Sequence, residues 1–246
     1  MARETIADAP QFYARMAGVL YLAIIMLGMF AEGFIPSKFI VPGDAVASAH
    51  QILASPVLWN LGSAANFLIV LCAVPLLWIE YLLLRPVNKN LLLLAVFFNL
   101  VSFAIESMSK LFYLLVMPIL SNADYLTAFA PDQLHVLASI AIKSHDIAFN
   151  IALILFGCTC LVNGYLILQS GYFPKLIGVL IQLAGVSYLT ACFSVLFAPA
   201  FANLIMPAVL IPALIGESSF CLWLLIKGVD IKKWRERVSM DPNAIG

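Results

Sequence analysis

The run LLLLAVFFNLVSFAIESMSKLFYLLVMPIL, residues 91–120, decides the fold class. A hydrocarbon core about 30 Å thick needs about 20 apolar residues of helix. Lipid offers the backbone no hydrogen-bonding partner, so a spanning segment must satisfy its own N–H and C=O groups. This run is long enough to cross once as a helix, and its unbroken apolar character contradicts the alternation of a barrel strand.

Five further runs of the same kind flank it, at residues 16–34, 57–84, 134–168, 173–197 and 204–226. The expected fold is all-α: a polytopic integral membrane bundle of six transmembrane helices in a single transmembrane domain, followed by a juxtamembrane tail at 227–246. The composition agrees, with 63% hydrophobic and 11% charged residues against about 25% charged in soluble domains. An ordinary water-soluble enzyme is excluded. The first run is too long for a secretory h-region, and no small-residue cleavage pattern follows it, so it reads as an uncleaved first span.

Lys and Arg sort by loop. Arg3, Arg15, Arg85, Lys89, Lys175, Lys227, Lys232, Lys233, Arg235 and Arg237 fall on one side, and only Lys38 lies in the opposite loops. The positive-inside rule then puts both termini in the cytoplasm. Trp59, Trp78, Trp223 and Trp234 stand near span ends, where an interfacial aromatic belt is expected. In the outer connections, Asp44 after Pro42-Gly43 predicts a capped short helix through Ala45–Ala54 at the outer surface. The loop 121–133, with Tyr125, Leu126 and Phe129, is either an ordinary packed loop or a lid. Short turns at 85–90 and 169–172 predict antiparallel hairpins. Arg15-Met-Ala-Gly18-Val19-Leu20 echoes Lys175-Leu-Ile-Gly178-Val179-Leu180, by chance or by duplication.

Thirteen basic residues balance thirteen acidic ones, leaving no nucleic-acid footprint. The partners to expect are membrane lipids and a small-molecule or ion ligand. Cys72, Cys158, Cys160, Cys192 and Cys221 all sit in apolar runs without a Cys-x-x-Cys pair and read as reduced small hydrophobes. No Gly-x-Ser-x-Gly, His-Glu-x-x-His, P-loop or dinucleotide fingerprint is present, so no cofactor is expected. His50, His135 and His145 match no compact ligand spacing, so no metal is expected either.

Charges within spans are costly, and each is a candidate site by default. Glu106 and Lys110 stand at i, i+4 with the acid first, the orientation that pairs them on one helix face. They either neutralise each other or form a site. Lys143, His145 and Asp146 open the fourth span, with Lys143 and Asp146 able to pair and His145 on another face; they are a site or a solvated helix extension. With Glu32 at the end of the first span, these groups share the outer half and would line one polar cavity if their faces converge. Glu217 has no opposite charge at i±3 or i±4 and must find a partner on another helix, keep its proton or face water. Pro207 and Pro212 precede it and predict a kinked or unwound span. Glu80, beside Arg85, is expected to snorkel to the interface, and Pro75 to kink the second span.

The stretches Ala17-Gly18-Val19-Leu20-Tyr21, Phe30-Ala31-Glu32-Gly33-Phe34, Val41-Pro42-Gly43-Asp44, Leu84-Arg85-Pro86-Val87, Ser170-Gly171-Tyr172-Phe173-Pro174 and Gly216-Glu217 with Leu222-Trp223-Leu224-Leu225 together resemble a bacterial membrane family, domain of unknown function 4386. The resemblance covers most of the chain. It implies an all-helical protein of the bacterial cytoplasmic (inner) membrane and carries no activity or catalytic residue. Asp44, Glu32 and Glu217 fall within matching stretches; Lys110, Lys143 and His145 do not.

Three functions follow as expectations. The leading one is a non-enzymatic protein that binds or transports a small amphipathic or ionic solute through an outward-facing polar cavity, with Glu217, Glu106 and Asp146 as proton or cation sites. The second is an intramembrane enzyme using Glu217 or Glu106 as general acid on a lipid-soluble substrate. The third is an accessory or sensor subunit in which the polar groups only hold helices together. The basic tail from Lys227 to Arg237 reads as an anchor to anionic lipid.

Overall fold

Helix α1 (Pro10–Gly28) opens on a proline, whose missing N–H would be unpaired there in any case, and runs without a break through a π-helical turn, Met29–Phe34, into α2 (Ile35–Phe39). The computed structural model describes residues 6, 9–121 and 126–240; Arg3 and Tyr125 lie outside them. Next come α3 (Ala45–Ala54), α4 (Pro56–Leu84), α5 (Lys89–Leu120), α6 (Pro131–Ser170), α7 (Lys175–Phe197), α8 (Pro199–Ile205), a 3₁₀ turn at Ala208–Leu210, α9 (Ile211–Ile226) and α10 (Ile231–Met240). No strand occurs among the described residues.

Among the described residues six helical segments are long and apolar enough to cross a membrane: Pro10–Phe39, α4, α5, α6, α7 and Ala208–Ile226. Large apolar side chains such as Leu71, Phe97, Leu176 and Phe197 point outward from them. Contiguous apolar surface of this kind is foreign to water-exposed proteins and fits lipid. At about 1.5 Å per residue, the 40 residues of α6 span about 60 Å, so this helix extends well beyond a hydrocarbon core.

The expected proline effects divide. Pro207 does separate two helices, since α8 ends at Ile205 and α9 begins only at Ile211. Pro212 breaks nothing, because it occupies the first turn of α9, where no intrahelical N–H bond is required. Pro75 lies inside α4, which continues past it to Leu84. The aromatic belt also needs correction. Trp59 and Trp234 are fully buried against their own chain, while Trp78 is exposed.

The chain groups into two compact units. Residues 1–23, 72–102 and 150–246 form the first, and residues 24–71 and 103–149 the second.

In the first unit, glycines set how closely helices approach. Gly157 faces Gly185 and Gly164 faces Gly178, so α6 and α7 run antiparallel with backbones in contact. Gly216 of α9 lies against the Leu180 carbonyl of α7 in the same way. On the other side of α9, the Cys221 thiol donates to the Gly18 carbonyl at 3.5 Å, and the Tyr21 and Phe220 rings meet edge to face. At the end where α4 stops, the Leu83 carbonyl accepts from both the Tyr172 hydroxyl (2.7 Å) and Trp234 Nε1 (3.2 Å). Burial pushes the Tyr172 phenol up, which keeps its donor proton in place. The tail helix α10 is thereby docked on the bundle through buried Trp234.

In the second unit, Trp59 of α4 stacks on Tyr113 of α5 (5.0 Å between centroids) and meets Phe39 of α2 edge to face. Ile35, Ile52 and Val116 close this core. The short helix α3 begins where expected: Asp44 Oδ1 accepts from the Ala47 N–H at 2.8 Å. Asp44→Ala removes that cap and is expected to lower stability by about 1 kcal/mol, read as a shift of the thermal unfolding midpoint in detergent; Asp44→Asn should restore most of it.

Candidate functional site

Three helical elements of the second unit bring ionisable groups to one point. The π-helical turn contributes Glu32. Such turns insert an extra residue into a helix and recur at functional sites. Helix α5 contributes Glu106, Ser109, Lys110 and Tyr113, which share one face by their i, i+3, i+4, i+7 spacing. Helix α6 contributes His145 and Phe149.

Glu32 sits between Lys110 and His145. Its Oε1 accepts from Lys110 Nζ at 2.7 Å, and its Oε2 faces His145 Nε2 at 3.3 Å. Lys110 Nζ also lies 3.6 Å from Glu106 Oε1 and 4.3 Å above the Phe149 ring. The aliphatic stem and ammonium of Lys110 are 1% exposed, as is the His145 ring; Glu106 and Glu32 are 13% and 20% exposed. Tyr113 packs on His145 with ring centroids 4.1 Å apart, and Phe149 stacks on its other side at 5.6 Å.

The two nitrogens of His145 have decisive surroundings. Nδ1 is 3.1 Å from the Ser109 carbonyl oxygen, which can only accept. Nε2 faces the Glu32 carboxyl. A neutral imidazole carries one N–H and can serve only one of these two acceptors, so both contacts are hydrogen bonds at once only when a second proton sits on the imidazole or on the carboxyl. Charge leads to the same count. Two carboxylates against one ammonium leave one negative charge over, and one further proton makes the group neutral.

Lys143 and Asp146 flank this group: they pair with each other at 3.7 Å and are 73% and 42% exposed, whereas His145 is 1% exposed. In the same unit His50 and His135 have their rings 5.8 Å apart, with Asp132 Oδ1 3.9 Å from His135. Among the described residues no group of three or more His, Cys, Asp or Glu is placed to hold a metal ion.

The first unit holds the remaining buried acids. Glu217 Oε1 accepts from the Tyr188 hydroxyl at 2.8 Å, so its partner on another helix is a phenol, not a cation. Glu80 takes a hydrogen bond from Asn163 Nδ2 at 3.4 Å, and the Arg85 guanidinium lies instead over the Tyr81 ring. Glu80 is therefore held inside by an amide and does not reach outward beside Arg85. Neither acid has a salt bridge among the described residues.

Tyr113, Phe149, Tyr188 and Asn163 were not singled out from sequence. Tyr113 carried a readable signal, since it stands three residues after Lys110 and seven after Glu106 on one face. Phe149 did too, standing four residues after His145 on one helix, whereas Tyr188 and Asn163 come from helices other than those of the acids they meet, and no spacing reveals them.

Comparison with known proteins places residues 16–228 on the family model described as a domain of unknown function (DUF4386). An uncharacterized protein of Archaeoglobus fulgidus is 29% identical over 162 residues, which is 66% of this chain and 80% of that protein. No solved structure matches.

Proposed function

We propose that this chain, which belongs to the DUF4386 family, binds or moves a small ionic or amphipathic solute across a membrane, with Glu32, His145, Lys110 and Glu106 as its proton-binding element. The observation that carries the reading is the His145 ring, both of whose nitrogens face acceptors. With a second proton shared between the ring and the carboxyl the centre is neutral and both His145 contacts are hydrogen bonds. Without it, one ring nitrogen's lone pair opposes an acceptor and a net negative charge stays buried, which is costly in a low-dielectric surrounding. Proton uptake and release thus switch the force holding the π-helical turn to α5 and α6.

The groups facing His145 are Glu32 from the π-helical turn and Ser109, Lys110 and Tyr113 from α5. Glu106 completes the charge set through Lys110; Lys143 and Asp146 on α6 pair with each other, and the Asp146 carboxylate lies within electrostatic reach of His145 and Glu32. Glu217, bonded only to Tyr188, is a second proton-binding candidate in the first unit. The distribution of Lys and Arg supports a cytoplasmic membrane with both termini inside.

Charge movement on a solid-supported membrane tests the proposal. With the protein in vesicles, a step in external pH is expected to give a transient current that Glu32→Gln abolishes. An unchanged current in Glu32→Gln would leave the centre as a clasp between helices and refute the proposal.

A further inference from the structure

At one end of the first unit, the turn 171–174, the end of α9 and the start of α10 enclose a cleft of about 350 Å³. Tyr172, Pro174, Trp223, Lys227, Gly228 and Lys233 line it. We propose that it binds the phosphate headgroup of an anionic glycerophospholipid.

Shape and charge both support this. The turn after α9 is fixed on two sides: Gln11 Nε2 donates to the Lys227 carbonyl at 2.6 Å, and Gln11 Oε1 accepts from the Val229 N–H at 3.1 Å. Trp223 Nε1 donates to the Gly228 carbonyl at 2.9 Å. Gly228, at φ +68°, lies so close to the Gln11 amide that a Cβ would fall 2.6 Å from it. The cleft is therefore built before a ligand arrives, which lowers the ordering cost of binding.

Its charged lining is two ammonium groups and one carboxylate, because Asp230 also faces it and lies 3.6 Å from Lys233. Lys227 has no ion pair among the described residues. The balance of one positive charge complements the single negative charge of a phosphodiester. Next to the cleft, on the first turn of α7 and the last turns of α9, Leu176, Leu222 and Ile226 are exposed. They offer acyl chains an apolar track leading away from the headgroup, which a free anion would not use.

The test is native mass spectrometry of the full chain in detergent, where no bilayer surface attracts the basic tail. Phosphatidylglycerol, phosphatidylcholine and inorganic phosphate are the probes. Phosphatidylglycerol should be retained over phosphatidylcholine, and Lys227→Ala with Lys233→Ala should lower that retention on the order of fivefold per lysine. Lys232→Ala with Arg235→Ala removes the same charge outside the cleft and should leave retention intact. Lys227→Arg with Lys233→Arg should preserve it. Equal loss in both alanine pairs would mean a diffuse field, equal retention of the two lipids would mean no headgroup selection, and complete displacement by inorganic phosphate would mean a free-anion site. Each of those results overturns the proposal.

Discussion

Lys110→Met is expected to destabilise the protein by about 3–5 kcal/mol, the usual consequence of removing one partner from a buried ion pair. The size follows from position. Lys110 is almost wholly buried and is the cation nearest both Glu32 and Glu106, at 2.7 and 3.6 Å. Methionine preserves much of the aliphatic stem but removes the ammonium that lies over Phe149 and leaves two carboxylates in an apolar surrounding, with only His145 to offset them. Adding Glu106→Gln should restore most of the loss, because Glu32 and His145 then form a balanced pair. Thermal or denaturant unfolding of the wild type, both single variants and the double variant completes the cycle. A double variant as unstable as the sum of the singles would show that packing, not charge, dominates.

Gly164→Val is expected to be severely damaging in the first unit, at about 3 kcal/mol or more, because overpacking without room to yield costs about 1–3 kcal/mol in ordinary cores. A Cβ at Gly164 would fall 2.5 Å from Gln182 Cγ and 2.7 Å from the Gly178 carbonyl oxygen. The second neighbour is backbone, so the accommodation requires α6 and α7 to part along their length. Lipid supplies no hydrophobic force to hold spanning helices together, and close backbone contact between small residues takes its place. Gly28→Ala is the control. Nothing lies within 4 Å of its new Cβ, and in a helix the change should be neutral or stabilising by up to about 1 kcal/mol. Unfolding midpoints of the two variants in one detergent would show whether close approach is the cause; equal midpoints would reject it.

The long apolar runs made the fold legible, since lipid imposes one solution on a backbone that must bond to itself. Local pairs were legible for the same kind of reason. Glu106 and Lys110 share a face at i, i+4, and Asp44 caps the helix it precedes. What sequence could not carry was the meeting of Glu32 with Lys110 and His145, which depends on a π-helical turn rotating Glu32 and on helices more than seventy residues apart. The Lys143–Asp146 pair at i, i+3 was legible in the same way as Glu106 and Lys110, as was its separation from His145. Trp59 illustrates the limit of position as a guide. It stands near a span end, yet its ring is consumed by Tyr113 and Phe39. Pro212 illustrates it again, since its effect depends on whether it falls in the first turn of a helix or beyond.

The central claim is that one proton resides between His145 Nε2 and Glu32 Oε2, and nitrogen-15 NMR of the histidine rings in bilayers reads it directly. The account predicts a resonance set, absent from His145→Gln, in which both ring nitrogens carry protons, or else a protonated Glu32 carboxyl donating to Nε2. A ring with a single proton beside an ionised Glu32 at every pH at which the protein stays folded would contradict it.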